Sequence, residues 1–534
     1  MRFTLAFVSA VAFFTGLSSA LSHGSTSTSR GHTQRGAVQP RRTQSLLINP
    51  DAQPDLPSAQ AASAAASAAG LNLNDIQGDV LVGMKKNKEL FYFFSIANAT
   101  DFKPKLSGDI LPLITTTNQL LDVSTQPITA LNIAFSQTGL NALGATDYLG
   151  DPVFRSGQFQ DLAFLGDACP ATWVPEFVGT GIHGVFLFAS DSDDNINDAV
   201  TSLESTLGDS ITKVYTLSGG ARPGDEAGHE HFGYLDGISN PAITGFTTNP
   251  IPGQFVANPG VILMSETGDP ITRPSWAKDG SFLVFRQLKQ LVPEFNAFLT
   301  ANPIVDGTLT AQQGSDLLGA RMVGRWKSGA PVDLAPLVDD PALGADPTRN
   351  NNFTFAHPDA VTSTNQTRCP FSAHIRKVRP RADLCTGTQE DATHHIMRAG
   401  IPYGPEVSDA EASSGTTTSE RGLAFVAYQS QVSTGEFIQE TWANNAVFVH
   451  SGVGIDPIVG QNSGAPRVVG GLDPTNSTKT TTLTTDFIIS RGGEYFFSPS
   501  LSAIASKLSV LFVPRYFSEG FRLILWHKFQ ARSR

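Results

Sequence analysis

Phe232-Gly-Tyr-Leu-Asp236-Gly-Ile-Ser-Asn240-Pro241 sets one carboxylate in a tight turn bounded by Gly233 and Gly237. Glycine adopts backbone angles and allows close approaches that bulkier residues resist, so this turn can hold Asp236 against a small molecule. Downstream, Arg368-Cys-Pro-Phe-Ser-Ala-His374-Ile-Arg376-Lys carries a lone histidine in an apolar run, able to reach a metal. Ile396-Met-Arg398-Ala-Gly-Ile-Pro-Tyr403-Gly404 adds a fixed positive charge on another segment braced by glycine and proline. Singly, each has a blander reading: a turn or capping carboxylate, a surface ion pair, a satisfied core histidine. Together, acid, cation and imidazole are the parts that split a peroxide.

These stretches resemble the secreted fungal dye-decolourising peroxidases. Gly233-Tyr-Leu-Asp236-Gly237 looks like that family's GxxDG motif, Ala373-His374-Ile375-Arg376 like the segment with its proximal haem ligand, and Arg398 stands where the family has its distal arginine. The likeness runs from Asn74-Asp-Ile-Gln-Gly-Asp79 through Gly324-Arg-Trp326-Lys-Ser-Gly-Ala330 to Gly492-Gly-Glu-Tyr-Phe-Phe-Ser-Pro499, so it covers most of the chain. It implies an α+β fold of two ferredoxin-like domains with antiparallel sheets and haem in the second. The activity implied is that of a secreted haem peroxidase, with one haem b per chain. It would use H2O2 to oxidise bulky dyes and phenolic or other aromatic reductants.

The resemblance also assigns roles. Asp236 is the distal acid-base residue, Arg398 stabilises developing charge, and His374 is the axial iron ligand. A ligating histidine normally donates its other nitrogen to an acceptor, and Asp456, in Gly454-Ile-Asp-Pro-Ile-Val-Gly460, is the candidate. Arg376 is expected to pair with a haem propionate. Leu423 and Phe425, in Arg421-Gly-Leu-Ala-Phe-Val426, resemble the apolar residues of the distal wall, and both also read as plain strand core. Such a wall shuts out a bulky dye, so electrons must travel from a surface residue; Tyr403 and Trp442 match positions for that relay, and either also reads as an ordinary packed aromatic.

Other chemistries fit the sequence less well. His229-Glu-His231 and His394-His395 could hold zinc or copper in a hydrolase or oxidase, but no HExxH is present and adjacent histidines diverge on regular structure. No Gly-x-Ser-x-Gly elbow supports a nucleophilic hydrolase. A non-catalytic haem carrier would need His374 but neither Asp236 nor Arg398.

Strand-like runs at 90–96, 130–135, 184–188 and 213–217 interleave with helical spacing before Leu121 and at 195–207. A second set follows: a strand at 282–285 running into a helix toward Phe298, helix at 312–322, strand at 423–428 and helix at 434–444. Strands interleaved with helices predict an α+β unit that looks duplicated. The expected division is 70–245 for the first domain and 246–508 for the second.

The ends read differently. One arginine, an apolar run from Phe3 to Leu17 and Ser18-Ser19-Ala20 make the pattern of a secretory signal, 1–20. Residues 21–69 are rich in Ser, Thr, Ala, Gln and Pro, without a sustained apolar face, and read as a pro-segment; Arg41-Arg42 would suit a dibasic protease. Residues 1–60 carry five basic and two acidic side chains, so their removal takes the net charge from -11 to -14. An acidic mature protein argues against nucleic acid and anionic membranes as partners, and no run approaches a membrane span. The oligomeric state is open, a monomer being the simplest expectation. Sequons at Asn98, Asn352, Asn365 and Asn476 fit an exported glycoprotein. Cys169, Cys369 and Cys385 cannot all pair; Cys369 and Cys385 read equally as a local bridge or as free thiols. The tail 509–534, apolar and basic around Phe521-Arg-Leu-Ile-Leu-Trp526, departs from the family pattern; a misassigned gene end is the favoured reading over a membrane or partner anchor.

Overall fold

β-branched and aromatic residues in the first half of the chain form β1 (Lys88–Ile96), β2 (Ala130–Phe135), β3 (Gly184–Ser190) and β4 (Ile211–Gly220). They pair antiparallel in the order β2-β3-β1-β4. Between β3 and β4 lies the helix Asp193–Leu207, capped by the Ser192 hydroxyl on Asn195 N–H, with Asp193 and Asp194 in its first turn and Ile196, Leu203 and Leu207 buried. The structure, a computed structural model, describes residues 56–510 apart from 85–86, 168, 359–365, 385–391 and 477. The expected leader 1–20, most of 21–69, the Asn365 sequon, Cys385 and the tail from 511 lie outside those residues.

After the short parallel pair β5 (Ala242–Ile243) and β6 (Val256–Ala257), the pattern repeats. β7 (Ser281–Gln290), β8 (Met397–Arg398), β9 (Ile401–Tyr403), β10 (Gly422–Gln429) and β13 (Ile488–Ser498) make a second antiparallel set, while β11 (Arg467–Gly470) and β12 (Thr480–Leu483) form a separate hairpin-like pair. β8 and β9 lie along successive parts of one edge of β10, whose other edge takes β7, which in turn pairs with β13. The order β13-β7-β10-β9 matches β2-β3-β1-β4 read from its far end, so each half is ferredoxin-like. The halves are not separate bodies. One bridge at each seam, Phe497 to Phe135 and Gly219 to Tyr403, joins them into one ring of strands. One face collects Phe93, Leu187, Ala134, Leu217, Phe285, Tyr403, Val426 and Phe496 from eight of the sheet's nine strands into one cluster. The opposite face of the second half carries the site.

Two features bring the helices of the second half to that face. The helix Ala311–Val323 opens with a capping box between Thr310 and Gln313 and ends at Gly324, φ 97°. A Cβ at Gly324 would fall 2.4 Å from Ile375, so only glycine lets this helix end abut the helix His374–Val378. Arg321, fully buried, donates to the carbonyls of Leu472, Arg368, Gly471 and Gln366, pinning the segment that leads into His374.

The alanine-rich end of the expected pro-segment is ordered differently from the sequence reading. Ala59–Ala69 is a helix capped by Ser58 and closed by Gly70, and its Ala62 and Ala66 pack into the main core cluster. Alanine is the best helix former and its small side chain permits close contact, a signal that apolar periodicity does not register.

Candidate active site

The Asp236 turn is built as its glycines require: Gly233 and Gly237 have φ of 91° and 81°. Asp236 N–H donates to Gly228 O at 3.0 Å, and Asp236 Oδ1 accepts from Gly237 N–H at 2.6 Å. Beneath it, the Glu230 carboxylate accepts from the N–H groups of Phe232 and Tyr234, both at 2.8 Å, and from Gln290 of β7. Arg398 arrives on β8, and its Nη1 donates to Asp236 Oδ1 at 2.7 Å. Asn240 clamps the backbone that presents it: Asn240 Nδ2 donates to Arg398 O at 2.9 Å, and Arg398 N–H donates to Asn240 Oδ1 at 3.1 Å. Burial opposes ionisation of Asp236, but Arg398, the Gly237 N–H and His374 outweigh it and hold the carboxyl below its ordinary range. No hydrogen bond reaches Asp236 Oδ2 from the described residues, which leaves that oxygen open to take a proton.

Facing this pair, His374 starts its short helix and hydrogen-bonds through Nδ1 to Asp456 Oδ2 at 2.8 Å. A carboxylate only accepts, so the proton sits on Nδ1. Asp456 is fully buried, and its Oδ1 accepts from Ile458 N–H at 2.7 Å and Val459 N–H at 3.1 Å. Burial pulls the His374 ring toward neutrality, but the Asp456 carboxylate outweighs it and raises the ring above the ordinary histidine range. Nε2 has no partner among the described residues and is the nitrogen available to a metal.

Asp236, Arg398, His374, Leu423 and Phe425 line one cavity of about 250 Å³. A smaller space of about 110 Å³ adjoins the Asp236–Arg398 pair, bounded by Gly228, His229, Gly400 and Pro402. The large cavity has two electrostatic ends. At one stand Arg325, Arg379 and Arg381; burial first, then the charges of Arg381 and Arg398, push Arg325 down to about 9, and burial with Arg379 lowers Arg381 to about 10. At the other stand Glu436 and Glu440, from the helix Glu436–Asn444.

Three residues singled out in the sequence lie elsewhere. Arg376, expected at a propionate, does not line the cavity: its guanidinium is buried, paired with Asp383 at 2.6 and 2.9 Å and stacked 3.9 Å over Phe371. Arg325, Arg379 and Arg381 line the cavity. Tyr403 and Trp442, expected at the surface, are buried, at 3% and 9% exposure. The Tyr403 hydroxyl donates to Glu420 at 2.9 Å; Trp442 stacks on Phe448 at 4.9 Å and meets His394 edge-on at 5.0 Å. His231 and His394 each bond a backbone carbonyl, of Tyr403 and Thr434, and no cluster of metal ligands occurs among the described residues. Cys369 is a free thiol that burial pushes up to about 12. Sequence reading passed over Glu230, Asn240, Arg325, Arg381, Glu436 and Glu440. Asn240 and Arg325 stood inside the quoted motifs and Glu230 between His229 and His231; the others carried no local signal.

A family model described as the DyP dimeric alpha+beta barrel domain matches residues 75–223. The chain is 61% identical over 491 residues to Peroxidase 2 of Mycetinis scorodonius, spanning 89% of this chain and 94% of that protein. It is 56% identical to a dye-decolorizing peroxidase of Auricularia auricula-judae over 93% of that protein's length. The chain belongs to the dye-decolourising peroxidase family. A crystal structure of the Auricularia enzyme superposes with a TM-score of 0.79 at 57% identity, covering 82% of this chain and 100% of the other. Another solved structure, at TM-score 0.80 over the same shares, is of a dye-decolorizing peroxidase whose engineered heme pocket performs asymmetric sulfoxidation. The chain is thus a peroxidase, and the α+β architecture is that of its family. Among the described residues no helix is long and apolar enough to cross a membrane.

Proposed function

We propose that this dye-decolourising peroxidase is a secreted glycoprotein that binds one haem b per chain in the large cavity and uses H2O2 to oxidise bulky dyes and phenolic or other aromatic reductants. One observation carries the reading: His374, backed by Asp456, lines the same cavity as the Asp236–Arg398 pair. The residues fit the group. Nε2 of His374 lacks a partner among the described residues, the walls at Leu423, Phe425 and Leu288 are apolar, and the Arg325–Arg379–Arg381 end holds two guanidiniums, Arg325 and Arg381, that burial and neighbouring cations disfavour and two carboxylates would relieve.

Haem held by His374 would supply the redox chemistry of peroxide cleavage, an iron able to bind H2O2 and to store its two oxidising equivalents. Asp456 fixes the ring proton on Nδ1 and so keeps the Nε2 lone pair for ligation. Asp236, ionised, accepts a proton at Oδ2 from one peroxide oxygen and returns it to the other, which departs as water. Arg398 stabilises the negative charge on the peroxide meanwhile, and Asn240 holds its backbone in place. Leu423 and Phe425 limit the space above the pair to something the size of H2O2, which the adjoining small space also suits. Dyes are oxidised outside the cavity, with Trp442 or Tyr403 carrying the electron.

A visible spectrum tests the reading. The purified protein should show a Soret band that shifts on adding H2O2, and His374→Ala should lose it. A protein without bound haem, or a His374→Ala variant with an unchanged Soret spectrum, overturns the assignment.

A further inference from the structure

Nothing in the peroxide step uses the acidic end of the cavity. Behind Glu436 and Glu440, Arg286 of β7 pairs with Asp167 at 2.6 Å and Glu440 at 2.8 Å, with Glu436 at 3.9 Å. The Tyr495 hydroxyl of β13 lies in the fields of both Glu436 and Asp161. Asp161 meets the hydroxyl of exposed Ser156 at 3.5 Å, and it interacts with the charges of Asp151 and Glu494. Toward the proximal side, Glu440 faces Asp456 and His374. Asp167, Glu436 and Glu440 thus crowd around one guanidinium, and the charges of Asp161, Glu436 and Glu494 act on Tyr495.

In the same volume, where the Tyr495 hydroxyl faces Asp161, both Glu436 oxygens, Glu440 Oε2, Gln429 Nε2 and Arg286 Nε are buried without a hydrogen-bond partner. A dry interior does not tolerate so many unpaired polar atoms in one place. Ordered water is the partner that satisfies such groups. Asp161, Tyr495 and Glu436 lie in succession between exposed Ser156 and the cavity that Glu436 lines.

The reaction needs such a file. Reducing H2O2 to two waters consumes two protons and two electrons. The Asp236 shuttle moves a proton that the peroxide itself brings, so both added protons come from solvent. Electrons that arrive through the protein from a dye outside the cavity bring no protons with them. We propose that Asp161, Tyr495, Glu436 and the waters between them are the proton inlet for the reductive half of turnover, an inference that rests on the haem reading above. Burial, then Glu440, raises Glu436 to about 8 against the pull of Arg286; burial raises Asp161 to about 6 and Glu494 to about 7. These groups exchange protons near neutrality, where ordinary carboxyls are fully ionised.

Two variants that keep shape but cannot relay, Asp161→Asn and Glu436→Gln, test it by two measurements. The first reads the protein without haem: infrared spectra should show a buried neutral carboxyl stretch that disappears in Glu436→Gln. On transfer to D2O that band should shift at least about tenfold more slowly in Asp161→Asn than in the unaltered protein. The second is stopped-flow on the holoenzyme: in Asp161→Asn the step with H2O2 keeps its rate, while in both variants return to the resting spectrum with a bulky dye slows at least about tenfold and gains a solvent isotope effect. Unchanged deuterium exchange and unchanged return in both variants overturn the inlet. Should Glu436→Gln not fold, Asp161→Asn, which lies outside the cavity, decides alone. Failure of the haem reading shows separately, as an unaltered protein without a Soret band.

Discussion

Replacing Asp456 by asparagine should cost haem affinity while leaving the fold intact. Asp456 Oδ1 is fixed under the N–H groups of Ile458 at 2.7 Å and Val459 at 3.1 Å, while Oδ2 receives the His374 Nδ1 proton at 2.8 Å. In asparagine the amide oxygen must stay under those two N–H groups, which turns the NH2 toward His374. Two donors then face each other, and the ring can respond only by moving its proton to Nε2, the nitrogen that must ligate. The bond lost is one to a charged acceptor, worth about 1.5–3 kcal/mol, so haem should bind roughly 10- to 150-fold more weakly. Apoprotein stability should stay near that of the unaltered chain, since shape and both backbone partners persist. Asp456→Ala should behave differently: it orphans two buried N–H groups at about 1–3 kcal/mol each, roughly 2–6 kcal/mol in all, and lowers stability as well. Titrating haem into apoprotein at the Soret band gives the affinities, and thermal melts of the apoproteins give the stabilities. An asparagine variant that binds haem as tightly as the unaltered chain, with the same axial ligation, refutes the tautomer argument. An alanine apoprotein that melts at the original temperature refutes the account of the two N–H groups.

Asp236→Asn should keep haem yet slow the stopped-flow reaction with H2O2 by about a hundred- to ten-thousand-fold, because an amide cannot shuttle the proton; a variant as fast as the original excludes Asp236 as the base. Although burial opposes it, Arg398 and Gly237 hold Asp236 below the ordinary carboxylate range, so its working form persists in acid and the peroxide step should stay flat down to about pH 3.9. A rate already falling near pH 6.5, where histidine titrates, would point to another base. The double variant Trp442→Phe, Tyr403→Phe should lower turnover of a bulky anthraquinone dye with the peroxide step unchanged, and full dye activity would dismiss both as relays. Burial raises Glu436 to about 8, so the folded chain holds a proton that the unfolded chain releases near pH 4.3. Its contribution to stability is complete below that lower value and is lost as pH rises through about 8, so melting temperature should fall over this window, less steeply in Glu436→Gln. A melting temperature that climbs across the window contradicts the buried neutral carboxyl.

Read by itself, the sequence determined what depends on near neighbours. The β-branched runs of β1 to β4 and the spacing of the helix Asp193–Leu207 follow from local periodicity, and Gly233 and Gly237 mark the Asp236 turn because few other residues accept its backbone angles. Tertiary structure decided the rest. β7 extends past Phe285 to Gln290 because Arg286 finds Asp167 and Gln290 finds Glu230 far along the chain, partners that no local pattern announces. Two residues along a helix turn through about 200°, so Arg376 points away from the side His374 presents and meets Asp383 instead. Trp442 and Tyr403 are aromatic in the sequence, but whether they face solvent depends on what packs over them, and Phe448 and Glu420 sit there. The Arg325–Arg379–Arg381 and Glu436–Glu440 ends of the cavity exist only where separate segments converge: burial, which sets the charge of each group, belongs to the packed molecule and not to any stretch of its sequence.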